Sequence, residues 1–228
     1  MKVLWGSLAV DGSGKLGGHV YAKNRGGNYV RTKATPLNPQ TSYQTAVRNT
    51  FTTLAQSWRT LTQTQIAAWN SAVTQFQSTN VFGSLKSPSG ENLYIRLNTN
   101  ILTAGGTVIN VPPAAGAAPQ VSTVSVTSAA GTPAISIVFT PTPVPANTAY
   151  VIEATPMLSP GKNFVKNQFR IIHVAAAAVA SPYNALAAYE AKFGAPIAGQ
   201  KLFVRIHAIN LTTGIKSLPI VASCIVAA

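Results

Sequence analysis

The sequence predicts an α+β multidomain chain, with a β-hairpin and helices first and an antiparallel β-sandwich last. Three observations predict it. Two short runs near the start alternate apolar and polar residues. From Tyr43 to Ile101 the apolar residues instead recur every three or four positions. After a Pro-, Ala- and Gly-rich stretch, six short apolar or alternating runs follow, each bounded by turn residues. A chain of 228 residues fits one large or two small domains, and a hydrophobic content of 46% supplies a core.

The elements follow in order. Val3–Val10 is an apolar run after Lys2 that mimics a weak signal peptide; it is short, lacks a cleavage pattern, and reads as a first strand. A glycine-rich turn leads to strands His19–Lys23 and Asn28–Lys33 around Arg25-Gly26-Gly27, a hairpin by spacing. Pro36 and Pro39 end that section. Tyr43, Val47, Phe51, Leu54 and Trp58 then form one helical stripe, with Thr41 and Gln44 as a capping box. Ile66, Trp69, Val73 and Phe76 form a second stripe, with Thr62 and Gln65 as its box. The short link Thr60–Thr62 makes these a helical hairpin with Trp58 and Trp69 in one core. After a loop over Phe82–Gly90, Leu93, Tyr94, Leu97 and Ile101 mark a third helix.

Residues 104–120 read as a linker, and Pro-rich linkers are semi-rigid and extended. The division is therefore 1–103, 104–120 and 121–228. Strands are expected at Val121–Thr127, Ala134–Phe139, Ala149–Ala154, Gln168–Val174, Leu202–Ile209 and Leu218–Val226. One insertion breaks the pattern: Ser181-Pro182 opens a helix in which Leu186, Tyr189 and Phe193 share a face, stopped by Gly194 and Pro196. Cys224 is expected to be reduced and buried in the last strand.

Charge narrows the function. Only 9% of residues are charged, against about 25% in a typical globular protein. The missing charges are acidic: 17 Lys and Arg stand against Asp11, Glu91, Glu153 and Glu190. So few carboxylates leave little for paired acid/base chemistry or for oxygen-rich cation cages. One cysteine excludes an intramolecular disulfide framework and a cysteine-cluster zinc site. The composition points away from an enzyme, with no catalytic residue, metal or cofactor expected. A net charge of +13 points to a polyanionic partner or an acidic protein lattice. No run of 18 apolar residues is present, so no membrane span is expected.

The motifs are weak as chemistry. Gly12-Ser13-Gly14-Lys15-Leu16-Gly17 matches the dinucleotide fingerprint, but that needs a helix after its third glycine and Gly18-His19-Val20-Tyr21 reads as strand. A phosphate-binding P-loop fails because Leu16 follows the lysine. His19, His173 and His207 are scattered and lack nearby carboxylates. No G-x-S-x-G elbow is present, and Cys224 sits in an apolar run. The first hairpin carries more weight. Tyr21, Lys23, Arg25, Tyr29, Arg31 and Lys33 interleave aromatics with cations, as phosphate neutralisation and base stacking would use. With Lys15 and Arg48 these are the candidate protein- or polyanion-contact residues, protein contact being favoured over nucleic acid.

A family resemblance rests on the stretch from Gly14 to Asn100. Its marks are Gly14-Lys15-Leu16-Gly17-Gly18-His19-Val20, Arg25-Gly26-Gly27-Asn28-Tyr29-Val30-Arg31, Pro36-Leu37-Asn38-Pro39-Gln40-Thr41 with Gln44 and Arg48, and Trp58 with Leu61-Thr62-Gln63-Thr64-Gln65 and Trp69. This resembles tailed-bacteriophage virion proteins of phages of gut Bacteroidetes, including the crAss-like phages. From residue 121 on, the chain resembles the immunoglobulin-like or fibronectin-type modules that phages attach to their particles. Arg205-Ile206-His207-Ala208-Ile209-Asn210 with Thr213-Gly214 looks like the paired last strands of such a module. The resemblance implies a virion protein made in the bacterial cytoplasm and present as a homo-oligomer or in many copies in a particle. An auxiliary capsid protein on the major capsid lattice is its first implication. A neck, tail or head-fibre protein, or an internal protein touching DNA, is its second.

Overall fold

The computed structural model describes residues 12–24, 27–79, 85–117 and 119–228. It is a mixed α and β protein with antiparallel sheets and, among the described residues, four α-helices. The chain divides into two compact units, Met1–Ala46 and Val47–Ala228. The expected strand Val3–Val10 lies outside the described residues.

The first unit holds a three-stranded sheet of β1 (Gly14–Leu16), β2 (His19–Asn24) and β3 (Gly27–Thr32) in the order β1-β2-β3. Leu16 pairs with His19, so Gly17-Gly18 is a two-residue hairpin loop. Such loops need positive φ, and Gly17 supplies it at φ 55°. The expected hairpin is present, and β1 adds a strand that alternation alone had left as a turn.

The second unit has a helical part and a larger β part. Helix α1 (Ser42–Thr60) runs across the division, followed by α2 (Gln63–Ala72), a 3₁₀ turn (Val73–Phe76) and α3 (Gly90–Thr103). At α2 the capping box is complete: Thr62 Oγ1 accepts from Gln65 N and Gln65 Oε1 accepts from Thr62 N. At α1 only half of it forms. Thr41 Oγ1 accepts from Gln44 N at 3.3 Å, but Gln44 Oε1 is buried without a partner. Ser89 caps α3, where the loop was expected to end at Gly90. Within that loop Leu85–Lys86 (β5) pairs with Ser78–Thr79 (β4).

Leu54, Trp69, Leu93, Tyr94 and Leu97 form the helical core. Trp58 and Trp69 do meet there, through Tyr94: its ring lies 5.5 Å from Trp58 and 5.3 Å, edge-on, from Trp69. Ser57 Oγ and Tyr94 Oη share a hydrogen bond of 2.9 Å. Buried Asn98 receives Ile109 N and donates to Tyr94 O and Ile109 O. Trp69 Nε1 donates to Asn110 O. These bonds tie the start of residues 104–120 to the helices. The segment has no helix or strand among its described residues, and it is not a free spacer there.

The β part contains β6 (Thr123–Ala129), β7 (Ala134–Thr140), β8 (Thr148–Ala154), β9 (Arg170–Ala175), β10 (Tyr183–Asn184), α4 (Leu186–Phe193), β11 (Lys201–Asn210) and β12 (Ile220–Ile225). One sheet has the order β10-β7-β6 and the other β12-β11-β8-β9. Ile135, Ile137 and Phe139 of one share a core with Tyr150, Ile152, Leu202, Val204 and Ile206 of the other. The last strand starts at Ile220, later than expected, because Pro219 has no N–H to give to a ladder. The inserted helix starts at Leu186 and not at Ser181-Pro182. Tyr183 and Asn184 pair with Ile137 and Ser136 instead, and Asn184 Oδ1 receives Leu186 N.

The opposite face of the second sheet seats α3. Ala104 packs on Ala149, Val151 and Ile209. Asn100 Nδ2 donates to Gly214 O at 2.9 Å. Gly214 has φ 69° and stands so close to the Leu97 carbonyl that any β-carbon there would overlap it.

Candidate interaction surface

Register decides what the first hairpin presents. Lys15 pairs with Val20, and Val20 with Arg31; Ala22 pairs with Tyr29. Cross-strand partners share a face, and successive residues alternate. Lys15, Tyr29 and Arg31 therefore lie on one face. Tyr21, which pairs with Gly14 and Val30, and Lys23, which pairs with Asn28, lie on the other. The aromatic–cation interleaving seen along the sequence is thus divided between two faces. Lys15 and Arg31 are exposed, on either side of Val20. Adjacent strands are ~4.8 Å apart, which sets their Cα atoms about 10 Å from each other. Lys33 is exposed just past β3, its N–H held by Gly18 O at 2.8 Å. Arg25 lies outside the described residues.

The glycine-rich stretch is settled by the same strands. Gly14–Leu16 is a strand, Gly17-Gly18 its loop and His19 the start of the next strand, so no helix follows the glycines to receive a pyrophosphate.

Helix α1 carries the more informative surface. Arg48 is exposed on it. Val47 and Phe51 are also exposed, at 52% and 57%, although Leu54 on the same stripe is fully buried and Trp58 packs on the helical core. Tyr43, one turn earlier, is 61% exposed. The apolar stripe therefore runs out of the core into solvent. The sequence placed the whole stripe on one face, and among the described residues its second half alone packs into the helical core.

In the β part the charges are used internally. Glu153 and Arg205 are cross-strand partners, with Arg205 Nε 2.5 Å from Glu153 Oε2. The Arg205 guanidinium also lies 4.3 Å from the centre of the Phe169 ring. His207 is buried on the same face, its Nδ1 without a hydrogen bond and 3.9 Å from Glu153 Oε2. Burial, then Lys216, push its pKa down to about 4, and Glu153 offsets only part of this. His173 stacks on Tyr183 at 4.6 Å, and its pKa too is lowered by burial. Cys224 is a free thiol, half-buried, with its pKa raised by burial, so it stays protonated. Among the described residues no cluster of three His, Cys, Asp or Glu side chains could hold a metal ion. Among them also, no helix is long and apolar enough to cross a membrane.

No protein-family model matches this chain, and neither a curated protein nor a solved structure shows significant similarity to it.

Proposed function

We propose that the protein is a non-enzymatic structural component of a bacteriophage virion, an auxiliary protein bound in many copies to the major capsid lattice. The observation that carries this reading is the α1 stripe. Val47 and Phe51 stand in solvent on a helix whose next turns are core, and such a face gains from a partner that covers it. Arg48 beside them, and Lys15 and Arg31 on the hairpin, would complement an acidic lattice. In this reading residues 1–103 supply the anchoring surfaces, residues 104–120 join them to the module, and residues 121–228 form an immunoglobulin-like sandwich turned outward. The two sheets with one core support the sandwich, and α4 is its helical insertion.

Cryo-microscopy of native particles tests the proposal. Many copies on the icosahedral shell, touching it through residues 1–103, are expected. Absence from the particle overturns it. A few copies at the neck, tail or a head fibre would replace the shell location.

The Lys15 and Arg31 pair favours a second reading, contact with packaged DNA inside the particle. A DNA mobility shift that weakens steeply with salt, and that Lys15→Ala with Arg31→Ala reduces, would support it. No shift at low salt would remove it.

A further inference from the structure

We infer that the cleft between α3 and the segment 214–217 is an anion site, with the carboxylate or phosphate group of a small organic acid held between Arg96 and Lys216. This goes beyond the virion reading and does not depend on it. The cleft has a volume of about 530 Å³, within the ~300–1,000 Å³ typical of ligand pockets. Arg96, Lys216, Gln75, Asn100, Phe76 and Ser217 are among its lining residues.

Three features make it a built site. No carboxylate among the described residues lines the cleft. Among the described residues none lies within ion-pair distance of Arg96 or Lys216. Glu153, whose charge acts on Lys216, is already bound to Arg205. With only four acidic side chains in the sequence, an external anion is a natural counter-charge for the two solvent-accessible cations Arg96 and Lys216. The walls are also fixed in advance. Asn100 Nδ2 is held by Gly214 O, and Gln75 Oε1 receives Ala115 N at 3.2 Å. That leaves the Gln75 amide nitrogen as a further donor and Asn100 Oδ1 as an acceptor for a hydroxyl. Finally, the Arg96 guanidinium lies 6.0 Å from the centre of the Phe76 ring, which gives the cleft an apolar patch beside the charge. Burial lowers the pKa of Lys216, Glu153 raises it and Arg205 lowers it again. A bound anion would restore the stability of the charged ammonium.

The test is calorimetric titration of the full chain with succinate and, separately, with inorganic phosphate at low ionic strength. Saturable binding with a dissociation constant of about 1 mM, or ~4 kcal/mol, is expected for at least one probe. Succinate binding more tightly assigns the site to carboxylates, and phosphate binding more tightly assigns it to phosphoryl groups. Lys216→Met and Arg96→Met should each weaken the preferred probe about tenfold, Lys216→Arg should restore it, and the exposed control Lys166→Met should leave it unchanged. A folded protein, by melting temperature, that saturates with neither probe overturns the inference. So does a dissociation constant that Lys166→Met changes as much as Lys216→Met.

Discussion

Along α1, Val47 and Phe51 are more than half exposed; along α3, Leu93, Tyr94 and Ile101 have no exposure at all. Both helices repeat apolar side chains every three or four positions. They differ in what surrounds them. Helix α3 has α2 on one side and the β8–β11 face on another, so every apolar position meets chain. Helix α1 contributes only Leu54 and Trp58 to that core, and its earlier turns run past it. A periodic stripe states that a face wants covering. It does not state whether the same chain does the covering.

The sharpest way to break this comparison is to remove a side chain from the covered group. Trp69→Ala leaves a cavity against Tyr94 and an unpaired Asn110 carbonyl. It should cost about 3–5 kcal/mol in a denaturant melt. A loss below 1 kcal/mol would mean that the helical core is as dispensable as the exposed stripe.

A second test uses the sheet face that seats α3. His207 is buried there, with its pKa at about 4 against an unfolded value of ~6.5. Because the folded value is depressed, the unfolded chain takes up its proton first as the pH falls. The His207 contribution is flat above pH ~6.5 and falls by up to about 3 kcal/mol between ~6.5 and about 4. His173 shifts in the same direction and adds to the slope. His207→Gln should flatten most of the profile, measured by melting temperature against pH. An unchanged profile would show that His207 is hydrated and not part of the packed face.

The helix caps give a smaller contrast. Thr62→Ala removes a complete capping box and should cost about 1 kcal/mol. Thr41→Ala removes one bond at an exposed helix start, so its loss should be well below that of Thr62→Ala. Equal losses would show that the start of α1 is fixed more firmly than its hydrogen bonds indicate. The smallest stability effect belongs to Phe51→Ser, within about 0.5 kcal/mol. The same change should markedly lower occupancy on reconstituted particles. A large stability loss with unchanged occupancy would return the stripe to the chain's own core.

These contrasts locate what was legible in the sequence. The helices and the longer described strands were readable from local periodicity, down to the Thr62 and Gln65 box, because each depends on residues a few positions apart; the short strands β1, β4, β5 and β10 were not. The Trp58–Trp69 core was readable for the same reason, although Tyr94 between them came from a distant helix. What needed the fold was register and company. Lys15 and Arg31 share a face because each pairs with Val20, while Lys23 falls on the other face, which no linear spacing states. Arg96 and Lys216 are 120 positions apart and line one cleft because Gly214 packs closely on α3. The β10 pairing was masked by an alanine-rich run that also satisfies helix rules.

The rims of the two sheets bear on crowding. Past β12 the chain crosses to the other sheet, where Ala227 O accepts from Ala130 N and Ala227 N donates to Ser128 O beside β6. That contact closes the end of the β6 edge. On the far side β10 is two residues long, and Lys192 of α4 holds the Ile171 carbonyl on β9. Short rims and a lysine on a rim are how sheet proteins avoid joining edge to edge. Strand exchange between neighbouring copies is therefore disfavoured at these two places on the rims.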